Sequence, residues 1–120
     1  MKPDIQSTAF GSIVIDGVQY KHDVTIGLDG SIRKRKKKLS KQKYGTSHII
    51  SLEEAQAVYE DGAQKLIIGS GMFGRVRLSE EAEAFFREKH CPVELHPTGK
   101  AADLWNNSSG NVQALFHITC

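Results

Sequence analysis

Polar and hydrophobic residues alternate along the N-terminal part of the chain, and this pattern predicts β-strands. Two pairs of predicted strands each flank an Asp-Gly dipeptide, the signal of a tight type I′ hairpin turn. The pairs are Ser12–Ile15 with Val18–Val24 around Asp16-Gly17, and Val24–Leu28 with Ile32–Lys36 around Asp29-Gly30. Residues 8–37 are therefore predicted to form an antiparallel β-meander. Residues 37–47 show no period, so we expect a mobile loop there.

From Ser51 onward the hydrophobic period changes, and helices are predicted to alternate with short strands. Ser51 and Glu54 have the spacing of a capping box, in which each side chain binds the other residue's backbone amide. The predicted elements are a helix from Ser51 to Gly62, a strand at Leu66–Gly69, an extended piece at Val76–Leu78, a helix capped by Ser79 and ended by Pro92, a strand at Val93–Leu95, a helix capped by Thr98 and running to about Ser108, and a strand at Val112–Thr119. This order predicts an α/β fold.

Two of these strands are apolar enough to be covered on both faces. We therefore predict that Leu66–Ile68 and Val112–Ile118 are neighbouring central strands of the sheet. In the second strand one face carries Val112, Ala114, Phe116 and Ile118, and the other carries Leu115 and His117. The N-terminal meander must either extend this sheet or fold over it.

The amino-acid composition limits the classes of protein to which the chain can belong. The chain has 120 residues, 39% of them hydrophobic and 25% charged, which suits one soluble domain over residues 1–120. No apolar run reaches the length of a membrane span, and the N-terminus lacks the apolar segment of a secretory signal. The two cysteines, Cys91 and Cys120, are too few for a disulfide scaffold. A cytoplasmic protein with no membrane contact is expected.

Charge is distributed unevenly. Half of the 16 basic residues lie between Arg33 and Lys43, a stretch without acidic residues that we call the basic arm. The other eight basic residues against 14 acidic ones give the rest of the chain a formal charge of −6. The arm is interpreted as a solvated edge strand and loop, as a docking surface for an acidic protein, or as a non-specific polyanion-binding surface. The candidate polyanion-binding residues are Arg33, Lys34, Arg35, Lys36, Lys37 and Lys38.

A glycine-rich loop follows the Leu66–Ile68 strand, where open α/β sheets usually hold ligands. The spacing of Gly69, Gly71 and Gly74 matches a dinucleotide fingerprint, but Arg75–Leu78 separate the glycines from the next helix. That helix also begins with two glutamates, which would repel phosphate. The loop is therefore predicted to be a tight structural turn or a small anion site. The candidate ligand-binding residues are Gly69, Ser70, Gly71, Met72, Gly74, Arg75, His48 and Thr98.

Neither a metal site nor a catalytic set is predicted. His117 and Cys120 are zinc-ligand types, but three positions apart on one strand they should point to opposite faces. His48 or His117 could serve as the base of a nucleophile such as Ser70 or a cysteine only if strand ends converge. The sequence therefore predicts no cofactor, no metal and no assigned catalytic residue.

Three segments resemble a small family of unknown function. Leu66–Met72 (Leu-Ile-Ile-Gly-Ser-Gly-Met) is similar to its Val-Ile-Gly-x-Gly-Met segment, and His48 matches a histidine of many relatives. Pro97–Ala101, followed by Trp105-Asn106, is similar to Pro-Thr-Gly-x-Ala and a later aromatic-Asn pair. Phe116–Cys120 resembles a His-x-Thr-Cys ending.

That family includes an adipogenesis-associated protein of animals and is related to a mitochondrial respiratory complex I assembly factor. The resemblance implies a three-layer, single-domain α/β fold with a mixed central β-sheet and helices, and it implies no established activity. Residues and resemblance together favour a non-catalytic binding or assembly module. The alternatives are an enzyme or sensor of a small anionic ligand at Gly69–Gly74, and non-specific polyanion binding through the basic arm. The expected partner is a protein or a small anionic ligand, with only weak nucleic-acid binding, and the chain is expected to be a monomer or weak homodimer.

Overall fold

The computed structural model of the chain, which describes residues 2–120, arranges ten strands in three sheets around four helices. The strands are β1 (Ile5–Ala9), β2 (Ser12–Ile15), β3 (Val18–Tyr20), β4 (Val24–Ile26), β5 (Ile32–Lys34), β6 (Ile49–Ile50), β7 (Lys65–Ser70), β8 (Arg77–Leu78), β9 (Val93–His96) and β10 (Val112–His117). The helices are α1 (Lys38–Tyr44), α2 (Leu52–Val58), α3 (Glu80–Glu88) and α4 (Thr98–Asn107). None of the helices in this described range is long and apolar enough to cross a membrane.

The central sheet is mixed and has the order β5-β4-β10-β7-β9. β10 pairs in parallel with β7 and antiparallel with β4, and β7 pairs in parallel with β9. Ala114 lies opposite Ile67 and Leu115 opposite Ile68. The prediction that these two strands are central neighbours is therefore confirmed.

Two apolar layers cover the central sheet, one on each face. Ile67 and Phe116 pack with Trp105 of α4 and with the isoleucines of β2. On the opposite face, Ile68 and Leu115 pack with residues of α2 and α3. The face assignment made for β10 is correct, and the predicted three-layer α/β fold is confirmed.

The N-terminal meander is divided between two sheets. β1, β2 and β3 form a separate antiparallel sheet, whereas β4 and β5 extend the central sheet. The turn at Asp16 and Gly17 has positive φ at both residues (47° and 82°), as a type I′ turn requires. The second hairpin is wider, because the Gly27 amide donates to the Ser31 carbonyl across three intervening residues.

The region expected to be a mobile loop contains helix α1. It ends at Gly45, whose φ of 73° is left-handed and whose amide donates to the Lys41 carbonyl. Ser40 is buried, and its hydroxyl bonds to the carboxylate of Glu54 in α2. The helix carries little apolar surface and is held by a polar contact, so hydrophobic period could not reveal it.

The helix caps are confirmed at two positions and corrected at others. The hydroxyl oxygens of Ser51 and Ser79 each accept a hydrogen bond of 3.1 Å from the backbone amide three residues onward. The reverse half of the predicted capping box is wrong, because the Ser51 amide donates to Ser40 and the Glu54 carboxylate binds Arg35. Helix α2 ends at Val58, before Gly62, and Thr98 is the first residue of α4 rather than its cap.

Candidate functional site

The ends of β7 and β10 meet because these strands are parallel neighbours. Gly71 follows β7 with φ of 99°, and a Cβ atom there would lie 2.6 Å from the Cys120 carbonyl carbon and 2.8 Å from Cδ2 of His117. Residues 117–120 thus fill the space that a side chain at position 71 would need. The need for glycine at this position has a steric cause as well as a conformational one.

Thr98 joins these strand ends to helix α4. Its hydroxyl donates to the His117 carbonyl and accepts the Gly71 amide at 2.9 Å. The Thr98 amide donates to the Gly71 carbonyl at 3.2 Å. Thr98, one of the candidate ligand residues, is therefore a buried structural residue that links the loop after β7, the end of β10 and helix α4.

Three amides of the glycine-rich loop are already hydrogen-bonded within the chain. Gly71 donates to Thr98, Met72 to the Thr119 carbonyl and Gly74 to the Gly71 carbonyl. An anion nest needs free amides that converge on one point. The contacts favour the structural interpretation of this loop over the anion-site interpretation.

The remaining candidate ligand residues are distributed between core and surface. Gly69 and Ser70 are buried, and Met72 is half-buried. Gly74 and Arg75 are exposed. The loop tip is apolar, because Phe73 is 71% exposed and lies 6.5 Å, ring to ring, from Phe10, which is 63% exposed.

Asp23 and His117 form a buried hydrogen-bonded pair beside the strand ends. His117 Nδ1 lies 2.7 Å from Asp23 Oδ2, and the other Asp23 oxygen accepts the Ile118 amide at 3.0 Å. Burial alone would raise the pKa of Asp23. The hydrogen bonds from His117 and Ile118, followed by the electrostatic attraction of His117 and Arg35, outweigh burial and lower the pKa of Asp23 to about 2. Asp23 is therefore a fixed carboxylate that orients the His117 ring.

Arg35 is buried, which corrects its placement among the polyanion-binding residues. It is 3% exposed, and its guanidinium binds Glu54 through Nε at 2.6 Å and Asp23 through Nη1 at 2.9 Å. A further nitrogen donates to the Ser47 carbonyl at 2.6 Å. Burial by itself lowers the pKa of Arg35, but the hydrogen bond and charge of Glu54, followed by those of Asp23, raise it overall. The Arg35 side chain is buried and bonded to internal partners, so it is not available to bind a polyanion.

His48 and Cys120 complete a cluster around His117. The His48 Nε2 atom lies 3.7 Å from Cys120 Sγ, and the two imidazole rings are 5.4 Å apart with an edge-to-face angle of 77°. One nitrogen from each histidine and the sulfur all lie within 4.8 Å of one another. Burial, followed by the electrostatic effects of His117, Arg75 and Arg35, lowers the pKa of His48.

The expectation that His117 and Cys120 point to opposite faces is wrong. β10 ends at His117, and residues 118–120 leave the strand direction. The Ile118 amide is bound by Asp23, and the Thr119 carbonyl accepts the Met72 amide at 2.7 Å. These contacts turn Cys120 back toward His48. The sequence contained the ligand types, but the turn depends on Asp23 and Met72, which are distant in sequence.

A second surface, which the sequence did not reveal, lies along β9. An open groove of about 760 Å³ runs between β8, α3 and β9. It is lined by Arg77, Leu78, Glu83, Phe86, Arg87, His90, Cys91, Pro92, Val93 and Leu95. These residues come from three elements, so no local pattern could group them. We call this surface the β9 groove.

Comparison with known proteins supplies a family and a set of related structures. The sequence profile described as "Protein of unknown function (DUF498/DUF598)" matches residues 5–116. None of the curated proteins matches the chain.

Among solved structures, a conserved hypothetical protein, PH1505, from Pyrococcus horikoshii OT3 is 31% identical over 98% of this chain and 99% of its own, with a TM-score of 0.89. A protein named MT938 is 30% identical over 99% of this chain and all of its own, with a TM-score of 0.82. A Bordetella parapertussis protein, 17% identical over 98% of this chain and 96% of its own, shares the fold with a TM-score of 0.76. With the family profile matching nearly the whole chain, the protein belongs to the DUF498/DUF598 family of unknown function.

Proposed function

We propose that the protein is a non-catalytic binding module that holds an extended segment of a partner protein in the β9 groove. The observation that carries the proposal is the position of this groove beside an edge strand. β9 ends the central sheet, and its one partner in that sheet is β7. An edge strand offers backbone amides and carbonyls to an added strand, which is a common mode of peptide recognition.

The groove supplies specificity for apolar side chains. Phe86 and Cys91 are buried at its base, and Leu95 is 36% exposed. A volume of about 760 Å³ is within the usual range of ligand pockets. Apolar residues at alternate positions of an added strand would point into it.

Charge indicates the flanks of the partner segment. The residues that line the groove include three basic ones, Arg77, Arg87 and His90, and one acidic one, Glu83. Opposite charges across an interface accelerate association and set orientation. The segment that fits is therefore apolar at the alternate positions that enter the groove and acidic at its ends.

The other edge of the central sheet is chemically different. β5 exposes Arg33 and Lys34, and charged side chains on an edge strand discourage pairing with another chain. Of the two edges, β9 is the one suited to an added strand.

The resemblance to a family related to an assembly factor also supports a binding or assembly role. The link to the adipogenesis-associated protein is part of this proposal. We place the protein in the cytoplasm, since its free cysteines suit a reducing compartment.

The test is an NMR titration of the isotope-labelled protein with a peptide of alternating valine and threonine that carries two glutamates at each end. We expect saturable shifts in the β9 amides, and weaker binding of a peptide of equal length in which lysines replace the glutamates. Leu95→Glu should weaken binding at least about tenfold, because like charges at an interface cost more than the ~1.4 kcal/mol that a factor of ten represents. Val18→Glu is the matched control, because Val18 is 51% exposed in β3.

Equal affinity for both peptides, or equal loss in the two variants, would contradict the proposal. Shifts in β9 that follow protein concentration without peptide would instead indicate that a second copy occupies the groove.

A further inference from the structure

We propose that His48, His117 and Cys120 form a binding site for a transition-metal ion, with zinc(II) as the fitting occupant. The three side chains bring two imidazole nitrogens and a sulfur within 4.8 Å of one another. Thiolate and imidazole are the ligand types that zinc prefers in proteins. The site uses none of the residues that line the β9 groove.

The distances suit zinc after a small closure. Zn–N bonds of about 2.0 Å and Zn–S bonds of about 2.3 Å in a tetrahedron place neighbouring ligand atoms roughly 3.3–3.7 Å apart. His48 Nε2 and Cys120 Sγ are already 3.7 Å apart. A separation of 4.8 Å must shorten by roughly 1.1–1.5 Å, and the half-buried side chain of His48, which precedes β6, would make that adjustment.

His117 is oriented as a metal-binding histidine usually is. Its Nδ1 is bound to the Asp23 carboxylate at 2.7 Å, so Nε2, which lies 3.2 Å from the Thr119 hydroxyl, is the nitrogen that would bind an ion in place of that hydroxyl. Metal-bound histidines commonly donate their second nitrogen to a carboxylate, which fixes the tautomer and strengthens the ligand. Asp23 is itself held by Arg35 and the Ile118 amide. This arrangement is the second observation, beyond residue type, that points to a metal.

The surrounding charge also permits a cation. Arg35 lies close by, but its charge is matched by Asp23 and Glu54, so the three buried groups carry a net negative charge. A Cys120 thiolate would add another. Arg75, whose charge also reaches His48, is exposed, so solvent and salt screen it. His48 and Cys120 are half-buried, so water or another ligand could reach an ion held between them. Three protein ligands with one open position are typical of sites where zinc binds a further ligand.

Cobalt(II) is the probe, because a cobalt–thiolate bond gives a near-ultraviolet charge-transfer band and tetrahedral cobalt gives intense visible bands. The reduced, EDTA-treated protein should bind one equivalent of cobalt with both signatures, and zinc should remove them. Cys120→Ser should abolish the charge-transfer band. His48→Gln should weaken cobalt binding at least about tenfold, since loss of an outer-shell partner alone costs 10–100-fold.

His90→Gln is the matched control, because it removes an exposed histidine outside the cluster, and it should bind cobalt as the wild type does. Thermal melts of the metal-free variants verify folding. His117 is left unchanged because it is buried.

A second measurement uses iodoacetamide, which should modify Cys120 more slowly when zinc is present. A wild type without the charge-transfer band at millimolar cobalt, or a Cys120→Ser variant that keeps it, would overturn the proposal. Fast alkylation of Cys120 that zinc does not change would also overturn it, and would indicate a thiol–imidazole nucleophile instead.

Discussion

Gly71 and Gly74 both have left-handed φ angles, but only Gly71 is crowded by neighbouring atoms. Gly71→Ala should lower the free energy of unfolding by more than ~1 kcal/mol, because the new Cβ would displace Cys120 in addition to straining the backbone. Gly74→Ala should cost about 1 kcal/mol or less, since the nearest atom to its Cβ would be 3.7 Å away. Urea denaturation of both variants measures the difference.

Equal losses in the two glycine variants would show that backbone conformation alone explains the requirement at position 71. Phosphate gives an independent readout of the anion-site interpretation. Because the amides of Gly71, Met72 and Gly74 are hydrogen-bonded internally, phosphate should shift the melting temperature of wild type and Gly71→Ala equally. A larger shift in the melting temperature of the wild type would support the anion-site interpretation instead.

For single residues, the sequence predicts a structural role where that role is local, and it misses the role where it depends on partners distant in sequence. Gly71 was predictable because a glycine directly after a buried strand marks a turn or a close approach. Arg35 was not, since it stands among exposed cations and its partners Asp23 and Glu54 are 12 and 19 residues away. The same reason explains the convergence of His48, His117 and Cys120.

The basic arm contains exposed lysines and one buried arginine, and the two groups should respond differently to loss of charge. Lys34, Lys36 and Lys38 are exposed, whereas Arg35 is enclosed by carboxylates. Replacing the three lysines with glutamine should change stability by only a few tenths of a kcal/mol per site. Arg35→Gln should destabilise by about 3–5 kcal/mol, because it leaves buried carboxylates without their counter-charge. Urea denaturation of the two variants provides the comparison.

The lysine variant also tests polyanion binding by the arm. Any affinity for oligonucleotides should fall, with a shallower salt dependence, because fewer phosphates are neutralised. Two unrelated oligonucleotides of equal length should bind alike in a fluorescence titration. Sequence-selective binding that survives moderate salt would contradict the electrostatic interpretation, and a lysine variant as unstable as Arg35→Gln would contradict the structural one.

Elements were predictable where hydrophobic period or capping chemistry was strong. Helices α2 and α3 were correctly started at Ser51 and Ser79. Helix α1 was missed because a buried serine and not an apolar face holds it. The two-residue strands β6 and β8 are shorter than any periodic pattern can define.

For the whole molecule, apolarity identified the central strands but not the division of the meander. β3 and β4 follow each other closely in sequence, yet they belong to different sheets. Between them lies Asp23, whose buried carboxylate is hydrogen-bonded to Arg35 and His117. A long-range polar contact thus interrupts a segment that local alternation had predicted to be one strand.

The layered architecture makes the centre of the mixed sheet the most protected part of the molecule. β7 and β10 each have a strand on both sides and apolar layers on both faces, whereas β3 is an edge strand of the smaller sheet. Amide exchange at Ile67 and Phe116 should therefore require opening close to global unfolding, while Val18–Tyr20 should exchange through local opening. Hydrogen–deuterium exchange under native conditions, compared with the free energy of unfolding from urea denaturation, measures both regions. Faster exchange at Ile67 and Phe116 than at Val18–Tyr20 would mean that the N-terminal sheet, and not the mixed sheet, is the stable unit of the fold.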